Sequence, residues 1–186
     1  MTTVYLPPLS QRKLMELSRR ALEELVRGLA RQKQQIADPY LQSREYGAFV
    51  TLCKKDELRG CVGNCAPDAP LFETVTEMTE AAATRDHRVE PIAKTELAQI
   101  RIDISVLSPL ERIEDPRHLE IGKHGLYIDG GGKRGVLLPQ VAQQYRWDIE
   151  TFLEQTCLKA GLSKNAWQRS NTKVSSFTAL IIEEQK

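Results

Sequence analysis

Apolar residues recur along the chain with two different periods, and the change of period separates predicted helices from predicted strands. Between Leu14 and Leu29 they repeat at the spacing of an amphipathic helix. We predict that Ser10 caps this helix and that it runs to about Gln35, before Asp38 and Pro39 end it. Arginine and lysine on its other faces indicate a solvated surface, with nucleic-acid binding as the alternative.

Strict alternation then predicts strands. Residues 47–53 form one strand, a polar turn covers residues 54–57, and residues 58–63 return as the second arm of a hairpin. The clearest alternation is in Ile100–Leu107, where Arg101, Asp103 and Ser105 share one face and aliphatic residues share the other. This pattern is typical of an antiparallel sheet with one covered face and one wet or functional face.

The remaining pattern alternates helices with a glycine-rich hairpin. Residues 71–83 and a segment capped by Asp148 read as amphipathic helices, the second ending before Gly161 with Cys157 in its apolar face. Residues 139–145 form a short helical turn. The glycines after Asp129 lack the spacing of a phosphate-binding loop, so they predict a hairpin turn. Residues 173–182 read as a last strand.

The candidate chemistry centres on residues 58–63. Read as a regular strand, they place Leu58, Gly60 and Val62 on one face and Arg59, Cys61 and Gly63 on the other. An arginine beside a cysteine favours the thiolate, which is the nucleophilic form. The alternatives are a buried, unreactive cysteine with an ion-paired neighbour, or a tight turn with a purely structural role.

Two further places carry candidate residues. Residues 85–88 form a cluster of ionisable side chains after a predicted helix. One interpretation is that the basic residues interact favourably with the dipole at the helix C-terminus. The alternative is that the cluster folds towards a functional site. His124 lies between two glycines at the start of a predicted strand. It is either a general base or substrate donor, or a surface loop residue.

Composition narrows the class of protein. The chain of 186 residues is 41% hydrophobic and 27% charged, with a net charge of +1, which is ordinary for a globular protein and gives no electrostatic signature of nucleic-acid or membrane binding. There is no signal-peptide pattern and no apolar run near the ~20 residues of a membrane helix, so we expect a cytoplasmic protein. Four cysteines and three scattered histidines lack metal-site spacings; we expect no metal and no cofactor.

Several motifs in this order resemble a known family. They are residues 47–52, the segment Leu-Arg-Gly-Cys-Val-Gly at 58–63, residues 81–88, 96–97, 104–107, 121–126 and 137–141. The chain is similar to AMMECR-type proteins over about residues 10–182, and residues 58–63 are the most specific part of the match. The family typically reads Asp-Pro-Arg-Phe where this chain has Asp86-His87-Arg88-Val89.

The resemblance implies an α+β fold of the RAGNYA type: a mainly antiparallel sheet, flanking helices and a smaller second lobe within one domain. It also implies two partners, a Memo-like protein and a radical-SAM enzyme, as in the AmmeMemoRadiSam set. We therefore weigh two hypotheses. In the first, a Cys61-dependent enzyme or group carrier, Arg59 and His124 assist the thiol. Gly60, Gly63, Asp86 and Arg88 then contact substrate. In the second, a non-catalytic module binds a nucleotide, RNA or peptide.

Overall fold

The structure is a computed structural model that describes residues 3–32, 35–55 and 57–185. None of the helices in these residues is long and apolar enough to cross a membrane. The helices are α1 (Pro8–Arg27), α2 (Leu71–Thr84), α3 (Pro139–Gln144) and α4 (Ile149–Lys159). The strands are β1 (Gly47–Lys54), β2 (Glu57–Asn64), β3 (Ile100–Leu107), β4 (Glu111–Arg112), β5 (Gly125–Gly130), β6 (Lys133–Leu137), β7 (Thr172–Phe177) and β8 (Ala179–Glu183).

The first helix begins and ends earlier than predicted. Ser10 lies inside α1 instead of capping it, and its hydroxyl donates to Asp38 at 2.7 Å. The helix ends at Arg27 because Gly28 adopts a left-handed φ of 70° and its N–H bonds back to the last turn. The predicted extension to about Gln35 is therefore wrong, and positions 33 and 34 lie outside the described residues.

The chain forms two compact units, and the first comprises residues 4–107 and 180–185. Its sheet has the strand order β2-β1-β3-β8, with β1 antiparallel to both β2 and β3. Ala48, Val50 and Leu52 are fully buried against α1 and α2, whereas Phe49, Thr51 and Cys53 are half-buried on the opposite face of the sheet. The predicted alternation in β1 and β3 is confirmed, and the α+β class with it.

A β-bulge interrupts β2 beside the candidate motif. Leu52 pairs with Gly60, but the next residue, Cys53, pairs with Leu58, so Arg59 is an extra residue without a partner in β1. Leu58 consequently falls on the same face as Cys53 and is 41% exposed. The prediction that Leu58 shares a face with Gly60 and Val62 is wrong, because the extra residue resets the alternation.

Gly60 lets α2 approach the backbone of β2. A Cβ atom at this position would lie 2.0 Å from the carbonyl oxygen of Ala82 in α2, far inside contact distance. The carbonyl belongs to the helix backbone and cannot rotate away. A side chain at residue 60 would therefore force the helix off the sheet.

The second unit contains residue 3 and residues 108–179. Its sheet has the order β4-β7-β5-β6, and α3 and α4 contribute to a separate apolar core that includes Phe152 and the fully buried Cys157. The predicted hairpin is confirmed: β5 pairs antiparallel with β6, and Gly131 and Gly132 both have positive φ in the turn. Asp148 caps α4 as predicted, accepting a hydrogen bond from the Thr151 amide at 2.8 Å.

The predicted last strand, residues 173–182, is two strands in two different sheets. β7 pairs with β5 and β4 in the second unit, whereas β8 lies next to β3 in the sheet of the first unit. Beyond β8, the amide of Glu184 donates to the Ile102 carbonyl, and its carboxylate forms an ion pair with Arg19 of α1. The first unit is thus completed by residues 180–185, which follow the second unit in sequence.

We expect Gly60→Ala to lower the free energy of unfolding by about 3 kcal/mol, because the added methyl group meets a helix carbonyl that has no room to move. Urea unfolding measures this loss. The matched control is Gly28→Ala in the same unit, where nothing lies within 4 Å of the added Cβ and only the left-handed conformation opposes it. We expect about 1 kcal/mol for the control. Equal losses would show that α2 does not constrain residue 60.

Candidate functional site

Cys61 lies on β2, opposite Thr51 of β1, on the sheet face that α1 and α2 do not cover. Its side chain is half-buried. The hydroxyl of Thr51 donates a hydrogen bond to the Cys61 sulfur at 3.3 Å. This contact holds the sulfur against β1.

The backbone of Cys61 is bound by side chains instead of by another strand. Its amide donates to the Asp86 carboxylate at 2.8 Å, and its carbonyl accepts from the Arg88 guanidinium at 3.2 Å. These groups point away from β1, so Thr51 and Cys61 form a non-hydrogen-bonded pair, the type in which facing side chains approach most closely. The contact between Thr51 and the sulfur follows from this register.

Asp86 and Arg88 hold each other in a two-point ion pair. The guanidinium donates through Nε to Oδ1 at 2.9 Å and through Nη2 to Oδ2 at 2.7 Å. Asp86 is buried, yet the hydrogen bonds from Arg88 hold its pKa well below the usual range. Its carboxylate is therefore the ionised partner of Arg88 at any working pH.

The Arg88 guanidinium interacts electrostatically with the Cys61 side chain. The hydrogen bond to Asp86 raises the pKa of Arg88, burial opposes this, and the Cys61 side chain adds to the rise. The Arg88 side chain remains 60% exposed. His87 occupies the second position of a β-turn that the Val89 amide closes onto the Asp86 carbonyl at 3.2 Å, so the pair is held without the proline typical of the family.

Arg59, the predicted cation, points to a different group. It donates to Glu96 through Nε at 3.2 Å and Nη2 at 3.0 Å, and Lys54 contacts the same carboxylate at 3.0 Å. Hydrogen bonds from Arg59, then from the Ala93 amide and from Lys54, lower the pKa of Glu96 to about 2. The predicted placement of Arg59 beside the sulfur is wrong, because the bulge turns this residue away from the face of Cys61.

The two glycines of the motif have packing roles. Gly60 accommodates the backbone of α2, and Gly63 lies under the Phe49 ring, which a Cβ would approach to 2.2 Å. A substrate contact at Gly60 or Gly63 stays a prediction. Both positions nevertheless require glycine for reasons unrelated to a ligand.

His124 belongs to the second unit, whereas Cys61 belongs to the first. Its side chain is only 3% exposed, so it is not a surface loop residue. Nδ1 accepts a hydrogen bond from the Glu120 amide at 3.0 Å, which places the proton of the neutral ring on Nε2. Nε2 has no hydrogen-bond partner among the described residues. Burial lowers the pKa of His124. A role for it towards Cys61 stays a prediction.

Sequence reasoning missed Thr51, Glu96 and Asp103. Asp103 lies opposite Thr51 on β3, and its carboxylate accepts from Arg101 at 2.7 Å. Alternation in β3 placed Asp103 and Arg101 on the wet face, which was the available signal. The sequence carried no signal for Thr51, because a hairpin without the bulge would pair Thr51 with Gly60 instead of Cys61.

A groove on the first unit lies away from the predicted site residues. A groove of about 610 Å³ between α1 and α2 is lined by residues such as Leu17, Phe72 and Arg31, and none of the predicted site residues lines it. Within residues 3–32, 35–55 and 57–185, no group of three or more His, Cys, Asp or Glu side chains is arranged to hold a metal ion.

Comparisons with known proteins agree with the motif resemblance. Residues 15–182 match the model of the AMMECR1 family. A Methanothermobacter thermautotrophicus protein is 40% identical, covering 95% of this chain and 97% of its own length. A Thermococcus onnurineus protein is 42% identical, with coverages of 92% and 89%. The crystal structure of an uncharacterised protein from Pyrococcus horikoshii superposes with a TM-score of 0.86 at 38% identity, covering 93% of this chain and 90% of that one.

Acid should destabilise the protein partly through His124. Its folded-state pKa is lowered, so its contribution is complete above the unfolded value of about 6.5 and is lost as the pH falls below it. The slope attributable to this residue reaches at most about 1.4 kcal/mol per pH unit. Urea unfolding at pH 7.5 and pH 5 measures it.

The control for this prediction is His124→Asn, whose side-chain oxygen accepts the Glu120 amide without titrating. We expect the variant to lose less stability than the wild type between the two pH values. The same loss in both proteins would contradict a buried, neutral His124.

Proposed function

We propose that this chain, which belongs to the AMMECR1 family, is a thiol-dependent enzyme or group carrier in which Cys61 is the nucleophile. The observation that carries the proposal is the hydrogen bond from Thr51 to the half-buried sulfur of Cys61. Asp86 and Arg88 hold the residue in place by binding its backbone amide and carbonyl. A thiolate needs a nearby donor and a nearby cation, and this arrangement supplies one of each.

Each residue has a stated role in this proposal. The Cys61 sulfur attacks an electrophilic carbon of the substrate and carries the transferred group as a thioester or thioether. Thr51 and Arg88 stabilise negative charge on the sulfur as it reacts. Asp86 is a positioning residue, because it contacts the backbone of Cys61 and the guanidinium of Arg88 but not the sulfur. Acyl or alkyl transfer is the corresponding reaction class.

The Cys61 amide is already donated to Asp86, so it does not contribute to an oxyanion site. An oxyanion would need other amides near Gly60 and Gly63, or the guanidinium of Arg88. The hydrogen bonds described above use Nε and Nη2 of Arg88, so its Nη1 group donates neither to Asp86 nor to the Cys61 carbonyl. We assign the oxyanion contact in this scheme to Arg88.

The family resemblance supplies the proposed partners, a Memo-like protein and a radical-SAM enzyme. A carrier that holds a group on one half-buried thiol fits a system in which a second protein makes or consumes that group. In this scheme, Cys61 passes the group between the two enzymes.

The second candidate function is binding without chemistry. It is favoured by the exposure of Arg88, whose guanidinium is oriented by Asp86 and remains open to an anionic ligand. A nucleotide, an RNA phosphate or an acidic peptide fits such a cation. Arg59 no longer supports this function, since Glu96 neutralises it.

The thiol hypothesis predicts a charge effect on alkylation. At pH 7, we expect Arg88→Ala to slow the reaction of Cys61 with iodoacetamide by about three- to tenfold, a modest factor because Arg88 is largely exposed to solvent. Mass spectrometry of digested samples gives the rate for Cys61 separately from the other cysteines.

The matched control is Arg59→Ala, which removes a guanidinium two residues from Cys61 that faces Glu96 instead. Its alkylation rate should stay within about twofold of the wild type, and Cys61→Ser identifies the peptide. Equal slowing in both arginine variants, or a native Cys61 that iodoacetamide does not label, would refute the proposed nucleophile.

The binding hypothesis predicts a different pattern. A nucleotide or short RNA at a hundred times its dissociation constant should stabilise the protein by about 2.7 kcal/mol. This effect should persist in Cys61→Ser and weaken in Arg88→Ala, as measured by thermal unfolding. Stabilisation that survives in Arg88→Ala would exclude this cation as the ligand contact.

A further inference from the structure

A carboxyl group shares the sheet face with the Cys61 sulfur. Thr51 pairs with Cys61 on one side and with Asp103 on the other, so the three residues form one row across β2, β1 and β3. Residues paired across neighbouring strands project from the same face. Strands lie about 4.8 Å apart, which puts the backbones of Cys61 and Asp103 about 10 Å apart with Thr51 between them.

The surroundings of Asp103 suit a group that exchanges a proton. Its side chain is only 20% exposed, and Oδ1 accepts the hydrogen bond from Arg101. None of the hydrogen bonds described for residues 57–185 reaches Oδ2. Burial raises the pKa of Asp103 although Arg101 opposes the rise, and the nearby Glu183 and Glu184 act in the same direction as burial. The protonated form is therefore more accessible than for a carboxyl in water.

We infer that Asp103 is the general acid that protonates the leaving group when Cys61 attacks a substrate lying across Thr51. This inference rests on the proposed function. In the step, the sulfur of the Cys61 thiolate forms a bond to the acyl carbon and the bond from that carbon to the leaving oxygen breaks. The proton moves from the carboxyl of Asp103 to that oxygen. The substrates are acyl donors whose leaving group needs a proton.

The row explains why the acid is Asp103 and not a residue closer in sequence. Asp86 is held ionised by Arg88, and Glu96 by Arg59 and Lys54, so neither carboxylate has a proton to give. The Asp103 side chain is mostly buried and lies on the same sheet face as Cys61. Arg101 donates to its Oδ1, so Oδ2 is the oxygen that would carry the transferred proton. In the proposed step, the reacting ester lies over Thr51, the residue paired with both Cys61 and Asp103.

Two esters with different leaving groups test the inference. p-Nitrophenolate departs without a proton, whereas the more basic phenolate of phenyl acetate benefits from one. We expect Asp103→Asn to slow acetylation of Cys61 by phenyl acetate by about a hundredfold, and acetylation by p-nitrophenyl acetate by less than about threefold. Mass spectrometry of quenched samples measures the acetylated fraction of Cys61.

The p-nitrophenyl ester also reports whether each variant retains a working thiol. Asp103→Glu keeps an acid and should recover part of the phenyl acetate rate. Equal slowing with both esters, or no slowing with either, would overturn the role of Asp103 without contradicting the proposed function. A wild-type Cys61 that p-nitrophenyl acetate does not acetylate, compared with Cys61→Ser, would overturn the proposed function and this inference together.

Discussion

The carboxylate of Asp86 joins the end of α2 to the edge of the first sheet, and the geometry around Cys61 depends on this contact. It accepts the Cys61 amide and orients Arg88, which in turn donates to the Cys61 carbonyl. Together, the two side chains do for this residue what a neighbouring strand would do: they satisfy its amide and carbonyl. The pair thereby covers an exposed edge and places a cation near the sulfur.

The close packing of α2 on β2 makes that contact possible. Gly60 brings the helix backbone onto the strand, so that the residues just after the helix reach the strand edge. Arg59 is displaced by the bulge and forms a second ion pair with Glu96 on the other side. Most residues of the family's specific hexapeptide therefore have structural roles, and Cys61 is its polar residue on the open face.

Much of the fold was predictable because alternation and turn chemistry are local. β1, β3, the glycine hairpin and the cap at Asp148 were all predicted correctly. The errors arise where one residue changes the outcome: Gly28 ends α1 early, and the extra residue at Arg59 shifts every facing residue beyond it. The partnership of Thr51 with Cys61, and the identity of the cation as Arg88, depend on that shift. Neither was accessible from the residue pattern alone.

The position of β8 in the sequence determines when the first sheet can be completed during synthesis. Both β8 and the ion pair of Glu184 with Arg19 belong to the first unit, but they are synthesised only after the whole second unit. Until then, β3 has an unpaired edge while more than seventy intervening residues are synthesised and fold. Completion of the first sheet therefore waits for synthesis of the second unit, and a chain that stops before β8 leaves the edge of β3 unpaired and open to aggregation.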